Sequence, residues 1–223
     1  SSNGERFMKL FSELVKDHIR SQPGTITNEN NVRLIMMFLD ICRDHTAALG
    51  EHRRWLLTAL VALIDKTKSA PLCKYLLEMA KTWVLNKQAP YPIGKEKASL
   101  MQKLANFESR GEQLFTPYLE LVYEIYTDPS LRRSELTSRL ENSFLIGCRA
   151  KDSALRERFM DLLDVSVSRS LFNRLTYILA VQNWEALADQ NWIFIALHLL
   201  LGAVDIAGTP ALVRGAQSTG IVK

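Results

Sequence analysis

Apolar residues recur every three or four positions along most of the chain, and no segment alternates regularly between apolar and polar residues. In the first segment, Phe7, Phe11, Val15 and Ile19 fall on one side of a helix. Residues 171–181 are the nearest candidate for a strand, and they keep the same helical spacing. The pattern therefore predicts about ten amphipathic helices separated by short turns.

Turn signals group the predicted helices into pairs. Pro23, Gly50 and Gly111 each interrupt the apolar pattern, and the pairs between such breaks recur about every 40 residues, the spacing of HEAT-type repeats. A single pair cannot bury its own apolar stripe, so neighbouring pairs must cover one another. We predict an all-α fold, a HEAT-like helical-repeat solenoid of about five antiparallel helix pairs. Two globular bundles joined near Pro90 are the alternative.

Polar residues mark where several predicted helices begin. Thr27 or Asn28 is expected to cap the second helix, and Ser69 is expected to cap the fourth. Ser134 is expected to cap a seventh helix that continues to Cys148. These positions predict a single helix over residues 134–148.

The clearest loop is residues 86–94, which contain two prolines and a glycine. We predict HEAT-like helix pairs in residues 1–88 and 95–207, followed by a polar, glycine-containing C-terminal arm in residues 208–223. An amphipathic helix begins within a few residues of Ser1, so we expect the chain to be a piece of a longer protein.

The composition is that of an ordinary folded protein, with 47% hydrophobic and 23% charged residues and a net charge of +4. Cys42, Cys73 and Cys148 lie far apart in apolar helical segments, which favours buried free thiols over disulfides or a zinc site. The longest apolar stretch, residues 192–207, is interrupted by polar residues and is shorter than the roughly 18 residues that a membrane span needs.

The sequence offers no catalytic constellation. It contains no phosphate-binding glycine loop, no HExxH motif and no nucleophile elbow. His45 and His52 lie close in sequence without a third metal ligand at helical spacing, and Asp161 with Asp164 fits a solvated helix face. We therefore predict no enzyme activity, no metal and no cofactor.

Arginine is concentrated in residues 132–174, where acidic residues also occur. The guanidinium group suits carboxylate and phosphate partners, although nearby acids neutralise part of this charge. Trp55, Trp83 and Trp192 are expected in the core or in the packing between repeats, whereas Trp184 lies in a non-helical corner. The candidate protein-binding residues are Arg132, Arg133, Arg139, Arg149, Arg156 and Trp184. Nucleic-acid binding by the 132–174 face is the alternative.

Several segments resemble the transcription-associated pseudokinase family, the large Tra/TRRAP-type subunits of SAGA and NuA-type histone acetyltransferase complexes. The similarity covers roughly residues 75–205. The segments that carry it are Tyr91–Lys97, Tyr118–Tyr126, Ser134–Glu141, Phe144–Arg149, Arg156–Met160 and Gln182–Leu187. They are similar to the helical repeats that precede the family's FAT region.

The resemblance implies a segment of a very large, nuclear HEAT-repeat scaffold whose kinase-like domain lies elsewhere and lacks catalytic residues. It implies three kinds of partner: acidic activation domains of transcription activators, other subunits of acetyltransferase complexes and the rest of the same polypeptide. It also implies that the protein recruits acetyltransferase complexes through activators. No activator-binding motif of the family can be placed on individual residues of this chain.

Overall fold

The computed structural model describes residues 3–88, 90–167, 170–181 and 190–203. Every regular element in these ranges is helical, which confirms the predicted all-α class. Two compact units divide the chain, Ser1–Ala150 and Lys151–Lys223. Trp184 and the proposed arm 208–223 lie outside the described residues.

The first unit contains eight α-helices in its described residues. They are α1 Asn3–Arg20, α2 Ile26–Asp44, α3 Arg53–Lys66, α4 Ala70–Leu85, α5 Gly94–Leu104, α6 Glu112–Thr127, α7 Glu135–Ser138 and α8 Glu141–Gly147. Short 3-10 turns lie before α3, at Gly50–His52, and after α5, at Ala105–Arg110.

These helices form two layers, each built from alternate elements. In one layer α1 packs on α3, α3 on α5 and α5 on α7, and in the other α2 packs on α4, α4 on α6 and α6 on α8. Helices α3, α5 and α7 begin at residues 53, 94 and 135, so each start follows the last by 41 residues. This regular stacking is the arrangement expected of HEAT-type repeats.

The core lies between the two layers, on the apolar stripes that the sequence pattern predicts. Leu39 of α2, Leu63 of α3, Met101 of α5 and Val122 of α6 are all fully buried. Each such side chain contributes roughly 1.5–3 kcal/mol through removal of apolar surface from water. The repeats therefore depend on their neighbours, because each stripe is covered partly by the next pair.

Polar contacts between side chains also recur at the length of one repeat. The Arg53 Nε atom lies 3.1 Å from Glu96 Oε1, across 43 positions of sequence. The Arg149 guanidinium meets Glu108 across 41 positions, with Nη1 2.6 Å from Oε1 and Nη2 3.2 Å from Oε2. Residues one repeat apart are therefore spatial neighbours in this unit.

Helix starts agree with the predicted caps in part. Ser69 Oγ accepts a hydrogen bond from the Leu72 N–H, as expected. The second helix is capped by Thr25, whose Oγ1 accepts from the Asn28 N–H, so the assignment to Thr27 or Asn28 was wrong. Thr25 has the extended backbone that capping requires, with φ −86° and ψ 154°, whereas Thr27 and Asn28 are already helical.

The helix predicted over residues 134–148 is divided into α7 and α8. Two carbonyls beside the break also accept tertiary hydrogen bonds. The Tyr126 hydroxyl donates to the Thr137 carbonyl at 2.7 Å, and the Gln102 amide donates to the Arg139 carbonyl at 2.8 Å. Ser134 precedes α7, but its hydroxyl makes no capping hydrogen bond.

The second unit contains α9 Ser153–Ser166, α10 Leu171–Thr176, which continues into a π-helical turn at Tyr177–Val181, and α11 Gln190–Ala203. Its central polar residue is the fully buried Arg174. The Nη1 atom of Arg174 donates to Asp164 Oδ1 at 2.5 Å and to the Leu199 carbonyl at 2.7 Å, which joins all three helices. Gly202 permits this approach, because a Cβ atom there would lie 2.7 Å from Arg174 Nη1.

The loop at residues 86–94 lies inside the first compact unit, between α4 and α5, which pack against each other. Its position between two helices agrees with the turn signals. The division into segments 1–88, 95–207 and 208–223 remains a prediction.

Candidate protein-binding surfaces

The predicted arginine set separates into residues with different surroundings. Arg132 and Arg133 are adjacent in the turn that follows α6, and both are exposed. Neither side chain makes a hydrogen bond or ion pair within the described part of the chain. The nearby Asp128 carboxylate lies 2.6 Å from Lys87 Nζ. Hydrogen bonds from Lys87 and Ser130 lower the pKa of Asp128 to about 2.

Arg139 and Arg149 already have carboxylate partners. Arg139 lies 2.9 Å from Glu135, one helical turn earlier, and both side chains are largely exposed. Arg149 forms the two-contact pair with Glu108, an orientation that fixes the guanidinium plane. An incoming acid would have to displace Glu135 or Glu108, so these two arginines are less available than Arg132 and Arg133.

The remaining two predicted residues lie outside the described part of the first unit. Arg156 lies on α9 in the second compact unit, where its Nη1 atom donates to the Lys151 carbonyl at 3.4 Å. Trp184 lies outside the described residues. Among the described residues of the first unit, the predicted set therefore contributes one exposed basic pair without a side-chain partner, Arg132 and Arg133.

A groove between α1 and α3 was not found by sequence reasoning. Its volume is about 450 Å³, and Val15, Ile19, Ala59 and Ala62 form its apolar floor. Trp55 lies at one end and is 41% exposed, so it lies between two repeats and outside the buried core. The core assignments of Trp83 and Trp192 are confirmed, since their exposed fractions are 5% and 1%.

Small side chains explain why the groove is open. Ala59 and Ala62 occupy the face of α3 that points toward α1, where a leucine would fill the space between the helices. Thr58 adds a polar wall, and its hydroxyl donates to the Arg54 carbonyl at 2.9 Å. The groove is thus a gap between two packed helices, left by residues too small to close it.

Three cations line the groove: Lys16 and Arg20 from α1 and Lys66 from α3. None of the lining residues is acidic. Lys16 Nζ lies 2.8 Å from Glu13 in an exposed pair, and Arg20 also helps to lower the pKa of Glu13 through space. Arg20 and Lys66 make no side-chain hydrogen bond among the described residues, so Glu13 offsets only part of the positive charge of the groove.

A buried polar network fixes the end of the groove where Arg20 and Lys66 lie. The His18 ring joins α1 to both neighbouring helices, with Nδ1 3.2 Å from Asn28 Nδ2 and Nε2 2.8 Å from Thr67 Oγ1. We assign Nδ1 as the acceptor from the Asn28 amide and Nε2 as the donor to Thr67. Burial lowers the pKa of the His18 imidazole, which favours this neutral form.

Other buried titratable groups lie among the apolar side chains of the core. Burial raises the pKa of Cys42 to about 11 and that of Cys148 to about 12. The Tyr118 hydroxyl donates within the core to the Met101 carbonyl or to Ser143, at 3.0 and 2.8 Å. Among the described residues, no group of three histidine, cysteine or acidic side chains is placed to hold a metal ion. None of the described helices is both long and apolar enough to cross a membrane.

Comparison with known proteins identifies the family. A family model described as the Tra1 HEAT repeat ring region matches residues 3–219. The chain is 35% identical to the SAGA complex/NuA4 acetyltransferase complex subunit Tra1 of Schizosaccharomyces pombe, over 88% of the chain and 6% of the relative. It is also 35% identical to the subunit TRA1 of the same two complexes in Saccharomyces cerevisiae, over 89% of the chain and 5% of the relative.

A mammalian relative shows the same relationship. The transformation/transcription domain-associated protein of Mus musculus is 30% identical, over 89% of the chain and 8% of the relative. The chain thus spans less than a tenth of the length of these relatives. The match over nearly all its residues and the 41-residue helical repeat together show that the chain belongs to the Tra1 HEAT repeat ring family.

Proposed function

We propose that this chain is a non-catalytic, protein-binding scaffold segment of a nuclear transcription coactivator subunit. The observation that carries the proposal is its similarity, over 88% of its length, to a helical-repeat part of a SAGA and NuA4 subunit. Other subunits of such acetyltransferase complexes and the rest of the same large polypeptide are the partners that this assignment suggests.

The chemistry of the described residues supports a non-catalytic role. Active sites gather titratable groups with shifted pKa values in an accessible cleft. In this chain, the buried groups with a shifted pKa include His18, Tyr118 and Cys148. Their pKa values are shifted mainly by desolvation in the core. The α1–α3 groove is lined by apolar side chains, two hydroxyl residues and three cations, and none of these lining residues is a histidine, cysteine or carboxylate.

The finer part of the proposal is that the segment binds acidic activation domains and thereby helps to recruit acetyltransferase complexes. Arg132 and Arg133 support it, because two exposed guanidinium groups without internal partners can pair with carboxylates at little cost. Nucleic-acid binding by the 132–174 face is less favoured. Among the described residues, Arg139, Arg149 and Arg174 are paired with carboxylates, which reduces the positive charge available to phosphates.

The test is a titration of the full chain with a fluorescently labelled acidic activation domain, followed by anisotropy at low and physiological salt. Binding should weaken about tenfold or more when Arg132 and Arg133 are both changed to Glu. The matched control changes Lys74 and Lys95 to Glu, since both are exposed and the alteration of net charge is the same. Absence of binding to the wild-type chain at both salt concentrations would exclude activator recruitment by this segment.

A second measurement separates the two parts of the proposal. A scaffold segment should be retained in acetyltransferase complexes isolated from nuclei, whether or not it contacts activators. A gel-shift assay with duplex DNA at low salt should show no binding. A strongly salt-dependent shift that is lost in the Arg132 and Arg133 variant would instead support the nucleic-acid alternative.

A further inference from the structure

We infer that the α1–α3 groove is a docking site for one amphipathic helix with an acidic outer face. The inference rests on the proposed protein-binding function and assigns it to a surface outside the arginine-rich segment. The groove offers an apolar floor, an exposed tryptophan and a basic rim within one compact unit. An amphipathic acidic helix is the partner that satisfies all three features at once.

The dimensions of the groove fit a short helix. Its α3 wall extends from Trp55 to Lys66, which is about 17 Å at the rise of an α-helix and equals about three turns. Three turns present apolar side chains at positions i, i+4 and i+7 to one surface. The volume of about 450 Å³ accommodates such side chains above Ala59 and Ala62, which have the smallest side chains of the groove floor.

Trp55 provides the anchor. Its indole is 41% exposed and is held at the groove end by an edge-on contact with the His52 ring, at a centroid distance of 6.0 Å. Tryptophan is enriched among the residues that dominate the free energy of protein association once a partner removes them from water. A leucine or phenylalanine of the partner would cover the exposed part of the indole and remove it from water.

The charge of the rim selects the sign of the partner. Arg20 and Lys66 are the last residues of α1 and α3, and the His18–Thr67 hydrogen bond brings these two helix ends together. Both cations are exposed, and no acidic residue lines the groove beside them. Carboxylates on the outer face of a bound helix would therefore meet positive charge, whereas lysines at the same positions would be repelled.

The probe is a labelled 15-residue helical peptide with leucine and phenylalanine on one face and glutamate on the other. We expect saturable binding to the full wild-type chain. Ala62→Phe, which fills the groove from a half-buried position, should weaken binding about tenfold or more. The double variant Arg20→Glu with Lys66→Glu should have a comparable effect without adding bulk. Circular dichroism would verify that each variant retains its helical content.

Two further double variants change the net charge equally but lie elsewhere. Arg132→Glu with Arg133→Glu and Lys74→Glu with Lys95→Glu should leave the affinity for the short peptide within about twofold. A peptide with lysine in place of each glutamate should not bind. Equal weakening in all three charge variants would overturn the assignment, because it would indicate attraction to net charge alone. Unchanged affinity in Ala62→Phe would overturn it as well.

The outcomes separate this inference from the proposed function. Binding of the activation domain that depends on Arg132 and Arg133, with no short-peptide binding in the groove, would refute the docking site and leave the proposed function standing. Loss of binding to both probes in the wild-type chain would refute both. Binding of the short peptide that is sensitive to Ala62→Phe supports the groove, even if Arg132 and Arg133 prove unimportant.

Discussion

Arg110 joins one repeat to the next, and its removal should destabilise the first compact unit. Its Nη2 atom donates to the Ile64 carbonyl at 2.7 Å and to the Asp65 carbonyl at 2.8 Å. Its Nη1 atom donates to the Thr67 carbonyl and approaches the Cys73 thiol at 3.4 Å. The last carbonyls of a helix have no partner within that helix, so one guanidinium satisfies three groups at the end of α3.

The magnitude follows from what Arg110→Ala would leave behind. Each hydrogen bond from a charged donor contributes roughly 1.5–3 kcal/mol, but water can rehydrate carbonyls at this half-buried site and return part of that free energy. A loss of about 1 kcal/mol for each of three carbonyls gives a destabilisation of about 3 kcal/mol. For a chain of this size, that corresponds to a fall of about 6–12 °C in the melting temperature.

The assay should combine urea denaturation with hydrogen exchange, because two compact units need not unfold together. Exchange should accelerate in peptides that cover residues 60–75 and change little in peptides from residues 153–203. Arg110→Lys should recover only part of the loss, because one ammonium cannot reproduce the guanidinium fork. Arg54→Ala is the matched control, an exposed arginine on α3, and should change stability by less than about 0.5 kcal/mol.

A result in which Arg110→Ala and Arg54→Ala are indistinguishable, in both the urea midpoint and the exchange rates, would refute this reasoning. It would mean that water satisfies the α3 carbonyls as well as Arg110 does. An increase in exchange confined to residues near 110 would point to the same conclusion, since the effect would then remain in the 3-10 turn.

Three other perturbations have expected outcomes. Burial lowers the pKa of His18 and His198, so the unfolded chain binds protons more readily than the folded chain. The contribution of these neutral histidines to the free energy of unfolding should be fully present above about pH 6.5 and should be lost as the pH falls through their folded-state pKa values. The urea midpoint should therefore fall less with pH in His18→Gln. Arg174→Met leaves the Asp164 carboxylate without its buried partner and should lower the free energy of unfolding of the second unit by about 3 kcal/mol. Hydrogen exchange in residues 153–203 should then be faster, and unchanged exchange would contradict this expectation. Gly111 has φ +102° and ψ 158°, so Gly111→Ala should lower the urea stability by about 1–3 kcal/mol, and a neutral effect would show that the turn can relax.

The repeat architecture was predictable because its signal is local. Three-and-four spacing reports the buried side of each helix, and turn residues report where each helix ends. The division of residues 134–148 into two helices was not predictable in this way. The break coincides with hydrogen bonds from Tyr126 and Gln102, which form only when the neighbouring helices are in place.

The partners of the arginines follow a less obvious rule. Arg149 meets Glu108 at a separation of 41 residues, the distance between the starts of successive helices in one layer. Once that period is known, opposite charges one period apart can be sought in the sequence. One period before Arg132 and Arg133 stand Tyr91 and Pro92, neither of which supplies a carboxylate. The same rule therefore agrees with the paired Arg149 and the unpaired Arg132 and Arg133, whereas Arg139 has a local partner four residues earlier.

The groove was missed because its two walls are each ordinary amphipathic helices. In the sequence, Ala59 and Ala62 are typical small core residues, and Trp55 is a typical large one. The pattern of α3 therefore gives no indication of a gap beside α1. The gap exists only because these small residues lie opposite α1, where Ser12 is also small. A sequence search would have to compare side-chain volumes at helix positions one repeat apart to find it.

The proposed docking groove and the packing of the helices that form it share one residue at the end of the groove. Thr67 accepts the His18 Nε2 hydrogen bond through its hydroxyl, and its carbonyl accepts from Arg110, so it connects α1, α3 and the turn after α5. A rigid groove binds more tightly than a mobile one, because the partner does not have to order the walls. The variants that loosen this connection should therefore weaken peptide binding more than their distance from the floor suggests. Arg110 would then act on the groove by holding α3 in place, without contacting the bound helix.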